Sequence, residues 1–196
     1  LIRVDATPRG WPEESFEDWV LHEDADLLVI AKPAGLLVHP LGESWLRTPA
    51  AALEEPGPNL AGLLIKHRAK SLAGLARCGI VHRLDRPTSG VMLVAKSLRA
   101  EERLLAGFRE RRIHKVYRAI VLGKVLERLV DAPSGRAPGH RKVKVTPFGR
   151  EASTGFRTVA TARGVSMVEA RPITGRTHQI RAHLAVIGHP VLGDPE

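Results

Sequence analysis

The chain has 196 residues, with 30 Lys plus Arg against 21 Asp plus Glu, a formal net charge of +9. That length supports one domain with a full hydrophobic core, and the basic excess points to a polyanionic partner, although charge alone does not separate RNA, DNA and an anionic surface. No apolar run approaches the ~20 residues of a membrane span, and a single cysteine, Cys78, excludes an internal disulfide and a CxxC metal pair and suits a reducing compartment.

Residues 1–19 mix Pro, Gly, Trp and acids without periodicity and read as an extension or edge segment. The apolar run at 27–31, bounded by Asp26 and by Lys32-Pro33, predicts a buried strand. Pro33 and Gly35 mark a turn, and residues 36–39 restart as a second strand. Residues 40–58 carry several Pro and Gly and read as a surface loop. Asn59 is placed to cap a helix over 60–70, with Leu60, Leu63, Leu64 and His67 at helical spacing. Ile80-Val81 and residues 91–95 predict short strands, and Cys78 just before them reads as a buried structural thiol. Ser97 opens a helix through Arg112, with Glu101 and Glu102 early, Arg109, Arg111 and Arg112 late, in the order the helix dipole favours. Leu104, Leu105 and Phe108 form its predicted inner face.

Residues 116–122 read as a strand. The Pro/Gly-rich stretch 131–150 is basic, and within it 141–145 alternates charge with Val, as one strand of a solvent-facing hairpin does. Residues 154–162 and 165–170 pair around Arg163-Gly164. A last helix is predicted over 175–188, capped by Thr174, striped by Ile180, Leu184 and Ile187, and ended by Gly188. Consecutive strands joined by short turns outnumber helices, which predicts an α+β fold with a mixed, mostly antiparallel sheet and flanking helices.

Three stretches concentrate chemistry. In His82-Arg83-Leu84-Asp85-Arg86-Pro87-Thr88-Ser89-Gly90 a carboxylate stands between two guanidinium groups, on a loop that Pro87 and Gly90 keep out of helix. An ordinary turn with a surface salt bridge has the same pattern. In Arg171 through His183, Thr177 and Arg181 fall on one face of the predicted helix, and the amides near 174–177 form a potential phosphate site; a solvated amphipathic helix reads the same way. Tyr117, the only tyrosine, lies on a strand among basic neighbours, where a core tyrosine is the default. No P-loop, GxSxG, GxGxxG or zinc-deaminase signature is present. His178 and His183 are about 140° apart around a helix and suit one metal poorly.

Four segments in order resemble one family, the pseudouridine synthases of the large-ribosomal-subunit and tRNA type, called RluA-like. They are Asp26 through Pro40, His82 through Gly90 (HRLDxxTSG), Lys115-Val116-Tyr117-Arg118-Ala119, and Arg171 through Asp194 with TGRTHQIRxHLAxxGHPVxGD nearly unbroken. The resemblance runs from about residue 20 to 196. It implies a catalytic domain over 20–196 that ends before the family's further strands and helix, and an N-terminal stretch too short for the S4 RNA-binding domain some members carry. It implies isomerisation of a uridine in structured RNA, rRNA being favoured over tRNA. No cofactor or metal is expected; the expected partner is RNA, with no membrane, and the protein is expected to be a monomer in the cytoplasm. Asp85 resembles the essential aspartate, Tyr117 the tyrosine that packs on the target base, Arg181 the arginine that pairs with the catalytic aspartate, and Arg83 an arginine that engages RNA around a flipped nucleotide. His82, Arg86, Thr88, Arg176, Thr177, His178 and Gln179, in the same motifs, are the expected RNA-binding residues. Two other readings stay open: a non-catalytic RNA-binding or ribosome-assembly factor on the same fold, and a basic enzyme acting on sugars. The latter wants a second catalytic acid that these motifs lack.

Overall fold

The computed structural model describes residues 16–40, 42, 44–54, 57–139 and 142–194. The chain divides into two compact units, Leu1–Arg109 and Glu110–Glu196. Both are α+β, and among the described residues every ladder between named strands is antiparallel.

The first unit is built on a three-stranded sheet of β1 (Val20–Glu23), β2 (Leu27–Lys32) and β3 (Gly90–Ala95), in that order. Strict alternation along β2 sends Leu28, Ile30 and Lys32 inward. Its register with β3 runs from Leu27 opposite Ala95 to Lys32 opposite Gly90. Leu28, Ile30, Met92 and Val94 of the sheet and Leu60 and Leu64 of a helix are fully buried. That helix, α2 (Leu60–Arg68), starts as predicted: Asn59 Oδ1 accepts from the Gly62 N–H at 2.9 Å, and Asn59 Nδ2 donates to the Ala52 carbonyl. A second helix, α3 (Leu98–Arg109), is capped by Ser97, whose Oγ accepts from Ala100 N at 3.1 Å. It stops three residues short of the expected Arg112; Arg111 beyond its end has φ 59°. Leu105 faces outward instead of inward, and the residue buried on α3 is Gly107.

Other expectations in this unit need correction. Phe16 is fully buried and stacks on His67 at 4.6 Å, so the end of the expected extension belongs to the core; residues 1–15 lie outside the described residues. Residues 36–39 form no strand, because Leu37 makes only an isolated bridge to Asn59. Ile80 likewise makes a single bridge, to Val94. The expected loop 40–58 contains a short helix, α1 (Ser44–Arg47), whose Trp45 is 2% exposed. Cys78 is buried, as expected. It lies in a run of left-handed residues, Arg77, Cys78 and Gly79, with φ of 51°, 55° and 73°. A Cβ on Gly79 would fall 2.0 Å from the Ala95 carbonyl oxygen, so only glycine lets the chain pass so close to β3.

The second unit carries a four-stranded sheet of β4 (Tyr117–Leu122), β5 (Arg128–Asp131), β8 (Ser153–Ala162) and β9 (Val165–Pro172), in the order β4-β9-β8-β5. Arg163 and Gly164, both at positive φ, close the β8–β9 hairpin where it was expected. A separate hairpin pairs β6 (Ser134–Arg136) with β7 (Val143–Val145). Part of the predicted basic strand, His140 and Arg141, lies outside the described residues. Val121, Val125, Val130, Phe156, Val168 and Ala170 close a core on Leu184 of the last helix, with Ile180 and Ile187 packed against it. That helix, α4, spans Gln179–Val186 and begins four residues later than predicted. His178 before it has φ 51°, a left-handed conformation that a helix interior excludes. Among the described residues no helix is long and apolar enough to cross a membrane.

Candidate active site

The loop holding Asp85 is fastened from three sides within the first unit. Leu84, 7% exposed, points into the core while Arg83 and Arg86 point out and Asp85 is partly buried. The Thr88 N–H donates to the Asp85 carbonyl at 3.0 Å, closing a tight turn over residues 85–88. The turn after β2 then clasps the loop. Gly35 N–H donates to the Arg86 carbonyl at 2.7 Å, and Arg86 Nε donates back to the Gly35 carbonyl at 3.0 Å. Gly35 has φ 89°, which a side chain would resist at this contact.

Under the clasp lies Lys32, 1% exposed. Its ammonium donates to the carbonyls of Pro33 at 2.9 Å, Leu36 at 2.8 Å and Arg86 at 3.4 Å. Burial drives its pKa down to about 8, and the negative charge of Asp85 works in the opposite direction. One buried cation thus ties the end of β2, the following turn and the Asp85 loop. Lys32 was not among the residues singled out from sequence. The signal existed: the period-2 pattern of β2 that puts Leu28 and Ile30 inside puts Lys32 there as well.

The flanking residues of the loop divide by role. His82 Nε2 accepts the Leu93 N–H at 2.8 Å and its ring lies 4.7 Å from that of Phe108. This partly buried ring therefore braces the loop to β3. Arg83 is exposed, with Nη1 3.3 Å from His39 Nε2. Thr88 is partly buried and Arg86 exposed beside the turn.

In the second unit, Tyr117 opens β4 opposite Ala170 and packs against the core cluster, partly buried. Arg181 forks onto Asp194: Nε donates to Oδ2 at 2.6 Å and Nη2 donates to Oδ1. Gln179 is 3% exposed, and its amide is fully engaged. Its Oε1 accepts from Thr174 Oγ at 2.6 Å and Arg176 N at 2.9 Å; its Nε2 donates to Ser153 O at 3.0 Å and Thr154 Oγ at 2.9 Å. Gln179 thus ties the turn before α4 to β8 through its side chain. Thr174, expected as a helix cap, bonds to this amide instead. Because α4 starts only at Gln179, Thr177 and Arg181 do not share a helical face, and the phosphate site expected at 174–177 is not a helix N-terminus. Arg176 and Thr177 are exposed in the preceding turn, with Arg176 Nε donating to the Glu151 carbonyl at 3.0 Å; His178 is partly buried. His183 is fully buried between Thr154 Oγ and the Ala132 carbonyl, and burial lowers its pKa. Among the described residues no cluster of three or more His, Cys, Asp or Glu is placed to hold a metal ion.

The Asp85 loop thus presents one half-buried carboxylate between two exposed guanidinium groups. The model of the RNA pseudouridylate synthase family matches residues 26–186, and the chain belongs to that family. It is 39% identical over 195 residues to the ribosomal large subunit pseudouridine synthase D of Xylella fastidiosa, covering 98% of this chain and 54% of that relative. To the protein of the same name from Nitrosomonas europaea it is 41% identical over 178 residues, covering 90% and 48%. The chain thus spans about half the length of the curated relatives it matches. Among solved structures, human RNA pseudouridylate synthase domain containing 4 superposes with a TM-score of 0.67 at 30% identity, over 93% of this chain and 69% of that one.

Proposed function

We propose that this chain is the catalytic part of an enzyme that converts uridine to pseudouridine within RNA, with Asp85 as its reactive group. The reaction breaks the bond between uracil N1 and ribose C1′, turns the base, and joins C5 to C1′; the C5 proton leaves to solvent and N1 takes up a proton, so product and substrate have the same composition. No redox partner or energy source enters this balance. The carboxylate acts by attack at C1′ or by removing a proton from C2′. The observation that carries the proposal is the clasp around Asp85. Gly35, Arg86 and Lys32 hold the loop's main chain, so the carboxylate is oriented before substrate arrives.

The other roles follow the family resemblance. The uridine leaves its stack at a cost of about a few kcal/mol. Arg83 and Arg86, exposed beside the loop, meet the phosphates or occupy the space the base leaves. Tyr117 offers a flat face to the uracil, and Arg181 serves the reacting carboxylate. Relatives named for the large ribosomal subunit favour rRNA as the substrate class. No feature of the site favours a purely binding role.

Tritium release from RNA labelled at uracil C5 tests the proposal, with total rRNA and tRNA from a host lacking the enzyme. Wild type should release tritium. Asp85→Asn should release none while binding RNA within about a few-fold of wild type, because the amide keeps the shape and loses the nucleophile. Substantial release by Asp85→Asn would remove Asp85 from the chemistry.

A further inference from the structure

Arg83 projects into solvent from the Asp85 loop, and an arginine side chain loses rotamer freedom when a ligand immobilises it. In this structure its guanidinium already has a partner. Nη1 lies 3.3 Å from Nε2 of His39, forty-four residues earlier in the chain. An arginine only donates, so Nε2 must be the accepting nitrogen. The other ring nitrogen meets that requirement, because Nδ1 lies 2.8 Å from the Pro40 carbonyl, which only accepts and so takes the Nδ1 proton. The ring is neutral and its lone pair is aimed at Arg83. Its plane is held as well: His39 stacks on Trp45 with centroids 5.2 Å apart and 17° between planes, and Trp45 is 2% exposed. Burial, together with the positive charges of Arg83 and Arg77, keeps the imidazole pKa below its ordinary value, against the opposing pull of the Pro40 carbonyl.

We propose that His39 is a positioning residue: held by Pro40 and Trp45, it presents a neutral Nε2 that orients the Arg83 guanidinium for contact with RNA at the Asp85 loop. The inference rests on the reading of Arg83 as an RNA contact and adds to it the residue that aims it. His39 is no acid or base in this arrangement, since its lone pair is directed at the guanidinium.

The test uses C5-tritiated total RNA from a host lacking the enzyme. It compares wild type, His39→Phe, His39→Gln, Arg83→Ala and the double variant His39→Phe/Arg83→Ala. Phenylalanine keeps a ring on Trp45 and removes the acceptor; glutamine offers an acceptor oxygen. His39→Phe should raise the half-saturating RNA concentration about three- to tenfold and change the maximal rate less than about twofold. His39→Gln should recover most of that loss, and His39→Phe should add nothing in the Arg83→Ala background. An unchanged half-saturating concentration in His39→Phe, additive losses in the double variant, or a fall in maximal rate alone overturns the proposal while leaving the Arg83 reading intact. An Arg83→Ala variant with wild-type RNA dependence overturns the Arg83 reading and this proposal together. Wild type without tritium release would sink the activity reading separately; filter binding of the same RNA then decides the His39 question without turnover. Should His39→Phe not fold, the nitrogen-15 resonances of His39 decide. An Nδ1-protonated neutral ring, with Nε2 shifting on Arg83→Ala, supports the proposal, and an Nε2-protonated ring overturns it.

Discussion

The Asp85 loop and the segment from Thr174 to His183 look alike as sequence, each dense in Arg, His and Thr, yet they are held by opposite means. The Asp85 loop is tied through its main chain: Arg86 O, Gly35 N and the carbonyls around Lys32 carry the bonds. Its charged side chains at 83 and 86 are thereby left on the surface. The other segment is tied through side chains. The Gln179 amide and the His183 ring turn inward to β8, and the helix begins where that amide is anchored. One polar motif thus keeps its charged side chains outside, while in the other Gln179 and His183 turn inward and leave Arg176 and Thr177 exposed. Burial of the Gln179 amide and the His183 ring is stable because both have hydrogen-bond partners for their polar atoms.

The sharpest way to break this contrast is Gln179→Leu. It removes four hydrogen bonds and orphans the Arg176 N–H, while the Ser153 carbonyl keeps Ile173 N, the Thr154 hydroxyl keeps His183 and the Thr174 hydroxyl keeps Ser153 N, so unfolding in denaturant should show a loss of roughly 3 kcal/mol. RNA affinity of the folded fraction should hold; a specific loss of affinity with full stability would return Gln179 to the binding surface. Lys32→Met should be milder, about 1–2 kcal/mol at neutral pH, because removal of a costly buried cation offsets part of the damage to its three carbonyls. This position also carries a pH signature. The folded pKa near 8 lies below the ordinary 10.5, so the unfolded chain binds more protons between those values. The stability of wild type relative to Lys32→Met should accordingly rise as pH increases from 8 to 10.5, and a flat difference would mean the ammonium is not buried in solution. Smallest is Arg86→Ala, which removes one exposed bond to the Gly35 carbonyl while leaving the main-chain bonds of the clasp. A stability change of about 0.5 kcal/mol is expected, with a larger effect on RNA binding at low salt than at high salt.

The sequence by itself determined the fold class, the strands expected at 27–31 and 91–95, the Asn59 cap and the β8–β9 hairpin. Those features are local: they follow from the period of apolar residues, from a capping side chain three residues from its amide, and from residues that accept positive φ. It also placed the functional candidates, through four ordered motifs. Only the tertiary structure decided which polar residues turn inward. That His82 braces β3, that Gln179 delays the start of α4, and that Lys32 and His39 stand behind the exposed arginines depend on partners 11, 25, 54 and 44 residues away. Periodicity assigns a side chain to a face of its own element. The hydrogen-bond partner waiting on that face belongs to another part of the chain, and the cost of burying a polar group unpaired makes that distant partner decisive.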